Sequence, residues 1–130
     1  MEVDDKQSQQ LMPYFNTAIE FIHSALKKGG RVLVHCAMGQ SRSASIVIAY
    51  IMATKQLNAD QATECAQRVL LPLYSGFVFF THRVLRYVRK RKGDINPNPG
   101  FKKELKEYEK VHCSARLSPA LFLGQIILQL

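Results

Sequence analysis

Acidic residues are scarce in this chain, 10 against 18 lysines and arginines in 130 residues, for a formal charge of +8. That balance suits an anionic substrate, a nucleic acid or an acidic partner, and equally a solvated basic surface. Cysteine is scarce as well. Cys36, Cys65 and Cys113 are odd in number and lie at no metal-ligand spacing. They point to a reducing compartment, no disulfide framework and no metal site. No apolar run reaches the ~20 residues that a membrane-spanning helix needs. The opening M-E-V-D-D-K-Q is polar and acidic, so no signal-peptide pattern starts there. No internal repeat is present. These absences give the expectation of one intracellular domain, in the cytoplasm and open to the nucleus, with no membrane span. The length allows one modest core.

What is present divides into helical stretches around one short strand. Phe15, Ala18, Ile19, Ile22, Ala25 and Leu26 recur at three- and four-residue steps. That spacing predicts an amphipathic helix from Pro13 to Lys28, with proline in its first turn and glycine after its end. Val32 to Val34 reads as a strand. The next helix, Ser43 to about Thr54, is apolar nearly all round, and such a helix belongs in the middle of a domain. Asn58 and Gln61 form a capping-box pattern that opens a helix running to about Leu70. Leu70 to Phe80 is strongly apolar. Phe77, Phe80, Val84, Tyr87 and Val88 then share a helical face, closed by the basic run Arg89 to Lys92. Asp94 to Gly100 is turn chemistry. Phe101, Leu105 and Tyr108 mark a last amphipathic helix, and the chain turns apolar again after Pro119.

The stretch V-L-V-H-C-A-M-G-Q-S-R-S, Val32 to Ser43, carries chemistry. It reads as strand, tight loop and helix start, with Cys36 where the loop begins and Arg42 where it ends. The backbone N–H groups from Ala37 to Arg42 can turn inward on one centre, and the helix N-terminus points at the same place. Inward amides and a helix dipole make an anion site. The same field favours thiolate at Cys36, whose pKa falls to roughly 3.5–7.5 in such surroundings. Arg42 adds a planar fork for two oxygens of one phosphate.

His35-Cys36-x5-Arg42-Ser43 resembles the signature loop of cysteine-dependent protein phosphatases, and its filling Ala37-Met38-Gly39-Gln40-Ser41 most resembles the dual-specificity branch. Leu11-Met12-Pro13-Tyr14-Phe15 is similar to the helix start that follows this family's acid loop. Asn96-Pro97-Asn98-Pro99-Gly100-Phe101 resembles the turn before its last helix. The resemblance implies an α/β fold, a central sheet flanked by helices, with most of the N-terminal strands missing from this chain. It implies a catalytic domain over residues 1–110, an insertion at about 66–87, and a tail at 111–130 unrelated to the family.

It also implies roles. Cys36 is the nucleophile. Arg42 and the phosphate loop Ala37, Met38, Gly39, Gln40 and Ser41 hold the phosphate. Asp5 falls where the general acid belongs, with Asp4 its neighbouring competitor. Ser43 donates to the sulfur, or only caps a helix, and His35 fixes the loop backbone with its ring. No metal or cofactor is required, because Arg42 and the amides supply positive charge. Residues 37–41 hold no lysine or arginine, which suits phosphotyrosine and phosphoserine/threonine in proteins over inositol lipid or RNA. Cys65 and Cys113 read as packing and tail residues. The Arg89 to Lys92 run, with no interleaved aromatic rings, reads as a solvated helix end, so no nucleic-acid partner is expected. The expected function is protein phosphatase. The alternatives are an impaired form that binds phosphoprotein or does not fold stably, and another Cys-x5-Arg chemistry such as sulfur transfer or arsenate reduction.

Overall fold

The computed structural model describes residues 2–70, 95–112 and 126–129. Its centre is the helix Arg42–Lys55 (labelled α2 below), in which every residue from Ser43 to Thr54 is buried. The sequence explains this. Alanine and serine alternate with isoleucine, valine, tyrosine and methionine on every side, so no face of the helix gains from meeting water.

Among the described residues three helices cover it. The first, α1, spans Phe15–Lys27 and buries Phe15, Ile19, Ile22 and Leu26. A single turn of tighter helix at Met12–Tyr14 leads in, with Pro13 inside it. Gly29, at φ +74°, closes α1. Its N–H donates to Leu26 O at 2.9 Å and that of Gly30 to Ala25 O at 3.0 Å, the pairing that a left-handed residue permits after a helix. The next, α3, spans Ala59–Leu70. Both capping-box bonds form ahead of it: Gln61 N–H to Asn58 Oδ1 at 2.8 Å and Asn58 N–H to Gln61 Oε1 at 3.2 Å. Its inner face is Ala59, Ala62 and Ala66, small enough for close approach. The last helix, α4, spans Pro99–His112. It buries Phe101, Leu105 and Tyr108, and the Tyr108 ring meets Phe15 edge-on at 5.3 Å.

The strand β1 covers Val32–His35. It pairs in parallel with β2, Ile126–Gln129, in the register Val32 to Ile126 through His35 to Gln129. The sequence marks one strand, and the second comes from the C-terminal stretch, where apolar character alone does not choose strand over helix. The basic helix predicted before Gly93, most of the Leu70 to Phe80 run and Cys113 lie outside the described residues.

The N-terminal stretch lies directly against the start of α4. A side chain on Gly100 would put its first carbon 2.9 Å from Gln7 Cα, so only glycine fits that approach. Glu104 of α4 accepts from the backbone of Leu11 at 2.8 Å and of Met12 at 2.9 Å. Those two bonds satisfy N–H groups that the short helical turn leaves open. The segment that follows Asp5 is therefore held against α4 at Gln7 and again at Leu11 and Met12. Among the described residues no helix is long and apolar enough to cross a membrane, and no three metal-ligating side chains gather.

Candidate active site

The loop between β1 and α2 wraps around one sulfur atom. Gly39 N–H donates to Cys36 Sγ at 3.1 Å, and Ser43 Oγ lies 3.2 Å from it. Gly39 sits at φ +72°, and that left-handed turn is what swings its N–H back toward Cys36. Burial pushes the Cys36 thiol up. The Ser43 hydroxyl and the N–H groups of Ser43, Met38 and Gly39 outweigh it together, and hold the thiol below its ordinary value. Hydrogen bonds to an anion favour the anion, so this pocket favours the thiolate form of Cys36.

Ser43 lies within the first turn of α2. The residue before the helix is Ser41, which makes no side-chain capping bond. The capping role left open for Ser43 is thus not the one its position gives it. Its hydroxyl is buried and faces the sulfur. In Ser43→Ala one donor to the anion goes and the burial stays, so the Cys36 pKa rises. Iodoacetamide alkylation followed against pH should show the mid-point move upward, with the rate at pH 6 falling several-fold. An unmoved mid-point would remove Ser43 from the account.

Arg42 opens α2 and reaches back over the loop. Its Nη1 donates to Val3 O at 3.0 Å, and its Nε stands 3.9 Å from Asp5 Oδ2. That Nε is buried and has no hydrogen-bond partner among the described residues. Asp5 itself is held by one oxygen, Oδ1, which accepts from Ser41 Oγ at 2.7 Å and from Asn98 Nδ2 at 2.7 Å. Bonds to a charged acceptor are worth about 1.5–3 kcal/mol each, enough to fix a side chain on an otherwise polar segment.

The predicted site residues thus divide. Cys36, Gly39, Met38 and Ser43 converge on the sulfur, while Arg42, Asp5 and Ser41 form an adjoining cluster. The Ser41 side chain faces Asp5 and Asn98. Gln40 contributes its carbonyl to Asn96 N–H at 2.9 Å, and the Met38 side chain is exposed. His35 differs from expectation. Its ring is exposed and makes no hydrogen bond among the described residues, because it falls on an outward position of β1, so it does not fix the loop through a ring bond. Cys65 is a half-buried free thiol on α3.

The catalytic-domain family described as "Dual specificity phosphatase, catalytic domain" matches residues 1–111. The chain belongs to the dual-specificity phosphatases. It is 36% identical over 124 residues to human dual specificity protein phosphatase 1, covering 92% of this chain and 28% of that protein. Against dual specificity protein phosphatase 1B of Arabidopsis thaliana it is 36% identical over 110 residues, 85% of this chain and 53% of the relative. The chain therefore spans about a quarter to a half of these relatives. Among solved structures, the human tyrosine phosphatase-like serine/threonine/tyrosine-interacting protein matches with TM-score 0.63 at 33% identity, over 88% of this chain and 61% of that one. The Yvh1 phosphatase domain of Chaetomium thermophilum matches with TM-score 0.61 at 26% identity, over 90% of this chain and 67% of that one.

In this dual-specificity phosphatase domain, sequence reasoning missed the parts that hold the acid. Asn98 is marked by the sequence only as part of a turn. It donates to Asp5, its N–H donates to Ser41 Oγ at 3.0 Å, and its Oδ1 accepts from Phe101 N–H at 3.0 Å. One residue therefore caps α4, braces the loop and fixes the carboxylate. An asparagine three residues before a buried phenylalanine signals the cap alone. The bonds to residues 57 and 93 positions away carry no sequence signal.

Proposed function

We propose that this chain hydrolyses phosphate monoesters on tyrosine and serine/threonine of proteins, through a phosphocysteine intermediate. The observation that carries the reading is Cys36 Sγ held by Gly39 N–H and Ser43 Oγ at the N-terminus of α2. The thiolate attacks phosphorus, and the bond from phosphorus to the leaving oxygen breaks. Arg42 and the loop amides take the charge that builds on the equatorial oxygens. The Arg42 Nε, paired with Asp5 at 3.9 Å but without a hydrogen-bond partner among the described residues, keeps an N–H to give to that task. Asp5 gives its proton to the leaving oxygen, a contribution of about 10²–10⁴-fold. Now ionised, it takes a proton from the water that cleaves the sulfur–phosphorus bond, which returns thiolate and releases phosphate. Ser43 stabilises the departing sulfur.

The lack of cationic side chains from Ala37 to Ser41 supports a phosphoprotein over a polyanionic lipid or RNA. Residues 1–110 form the catalytic domain in this reading, with the insertion at about 66–87 and the tail at 111–130. The family match over residues 1–111 supports the extent of the catalytic domain, while the match to human dual specificity protein phosphatase 1 over 92% of the chain runs on into the tail. Among the described residues the sheet has two strands. The likeness to the human tyrosine phosphatase-like serine/threonine/tyrosine-interacting protein favours a second reading, a domain that binds phosphoprotein without turning it over. Cytoplasm and nucleus remain the compartments proposed.

Trapping the intermediate separates the two. Protein mixed with a ³²P-labelled phosphopeptide and quenched in acid should carry label stable to acid and lost on iodine treatment, as a thiophosphate linkage is. The label should vanish with Cys36→Ser. Well-folded protein with no label would overturn hydrolysis and leave the binding reading.

A further inference from the structure

The segment that carries Asp5 lies along the start of α4, and its contacts there advance in step. Asp5 Oδ1 accepts from Asn98 Nδ2 at 2.7 Å. Two residues on, the Gln7 backbone rests against Gly100, where a β-carbon would come within 2.9 Å of Gln7 Cα. Further on, the Leu11 and Met12 N–H groups donate to Glu104 at 2.8 and 2.9 Å. Gly100 is the residue in this series whose presence needs a reason. It lies inside α4, where glycine is a poorer helix former than alanine. Its φ is not in the left-handed region, which among the described glycines holds Gly29 and Gly39, so no turn demands it. What the position requires is the absence of a side chain facing Gln7. The obstacle there is backbone, which cannot swing aside as the end of a flexible side chain can.

We propose that the start of α4 is the seat that sets the position of the general acid, with Gly100 a positioning residue that acts on Asp5 through Gln7. The inference rests on the hydrolase reading and adds to it how the acid is placed. The Asp5 carboxylate has two holds of different origin. Ser41 Oγ, at 2.7 Å, belongs to the phosphate loop, and Asn98 and Gly100 belong to the approach and first turn of α4. The two are tied to each other, since Asn98 N–H donates to Ser41 Oγ at 3.0 Å and Asn96 N–H to Gln40 O at 2.9 Å. The height of the acid over the loop is therefore set by where α4 begins. A proton passes only when the carboxyl is within hydrogen-bond reach of the leaving oxygen, and a misplacement of ~1 Å can cost about 10²-fold. A methyl group on Gly100 must shift the Gln7 backbone, two residues from the acid. The donors to Cys36, Gly39 N–H and Ser43 Oγ, lie on other elements and keep their bonds.

The test measures kcat and KM on an aryl and an alkyl phosphate for the full chain, Gly100→Ala, Asp5→Asn and the double variant. An alkyl oxide needs a proton to leave, and an aryl oxide needs it less. Gly100→Ala should lose about tenfold or more on the alkyl ester, in kcat and not in KM, and several-fold less on the aryl one. On the Asp5→Asn background the alkyl loss should vanish, because a residue that acts through the acid then has nothing left to place. Asn98→Ser keeps an oxygen for the α4 cap and gives up the donor to Asp5. It should show the same selective loss and the same cancellation, and it carries the test if Gly100→Ala does not fold. Equal losses on the two esters, or a loss undiminished in Asp5→Asn, would make the contact structural only and overturn the proposal. Parent protein that turns over neither ester would overturn the hydrolase reading and the seat with it. Aryl and alkyl turnover without the selective loss would overturn the seat alone.

Discussion

Cys36→Ser should abolish turnover of an aryl phosphate, by about 10⁴-fold or more, while leaving the fold and the anion site in place. The size follows from what is removed. Covalent catalysis needs an ionised nucleophile, and loss of one in comparable covalent enzymes costs several orders of magnitude. A serine hydroxyl in the same place meets the same donors, Gly39 N–H and Ser43 Oγ, which stand 3.1 and 3.2 Å from the sulfur. Those donors hold the thiol below its ordinary value and so favour its thiolate. They do not ionise an alcohol whose proton is held far more tightly.

Binding should behave differently. The thiolate is an anion beside a site for another anion, so removing it relieves repulsion. Arg42 and the loop amides stay. The variant should therefore hold a phosphopeptide at least as tightly as the parent. Saturation at about 100 times Kd stabilises a fold by about 2.7 kcal/mol, which thermal denaturation with and without peptide would read. Lost turnover with a retained melting shift is the expected pair. Turnover that survives the substitution would remove Cys36 from the chemistry.

How much of this was legible beforehand depends on distance along the chain. The loop from Cys36 to Ser43 spans eight residues, and its chemistry is local. Strand, glycine turn and helix start bring the parts together whatever surrounds them, so the sulfur and its amide donors could be read from spacing, and the Ser43 hydroxyl from the resemblance. The same holds for α3, whose capping box forms both of its bonds, and for α1, whose periodicity and terminal glycine are local signals. Asp5 is different. Its resemblance to an acid is positional, but what holds it, Asn98, is 93 residues away. Glu104, which clamps the same segment at Leu11, is as remote. Neither pairing leaves a local trace, since asparagine suits any turn and glutamate any helix surface. The strand β2 failed to show for another reason. A short apolar run after Pro119 satisfies strand and helix alike, and only its pairing with β1 decides. The exposed ring of His35 follows from β1 alternation, which the sequence carried but the resemblance overrode.

Arg42→Lys should lower kcat by about 10²–10³-fold, the cost of removing one donor from a charge-stabilising site. The substitution keeps the positive charge, so the loss isolates geometry. Arginine here does two things at once. Nη1 donates to Val3 O at 3.0 Å, and the rest of the fork remains between Asp5 and the loop. Lysine offers three donors on one nitrogen and cannot reach backward to Val3 while presenting two parallel bonds forward. Ground-state binding of phosphate should weaken less than kcat falls, because charge on the equatorial oxygens grows only as the transition state forms. Releasing Val3 also loosens the segment that carries Asp5, whose remaining ties are Ser41 and Asn98. The acid should then serve poorly. Substrates with reluctant alkyl leaving groups should lose more than aryl ones, since an aryl oxide departs with less help from a proton. Steady-state kinetics on an aryl and an alkyl phosphate with both proteins would measure this. Equal losses on the two would separate Arg42 from Asp5. A loss confined to KM would reduce Arg42 to an anchor for bound phosphate.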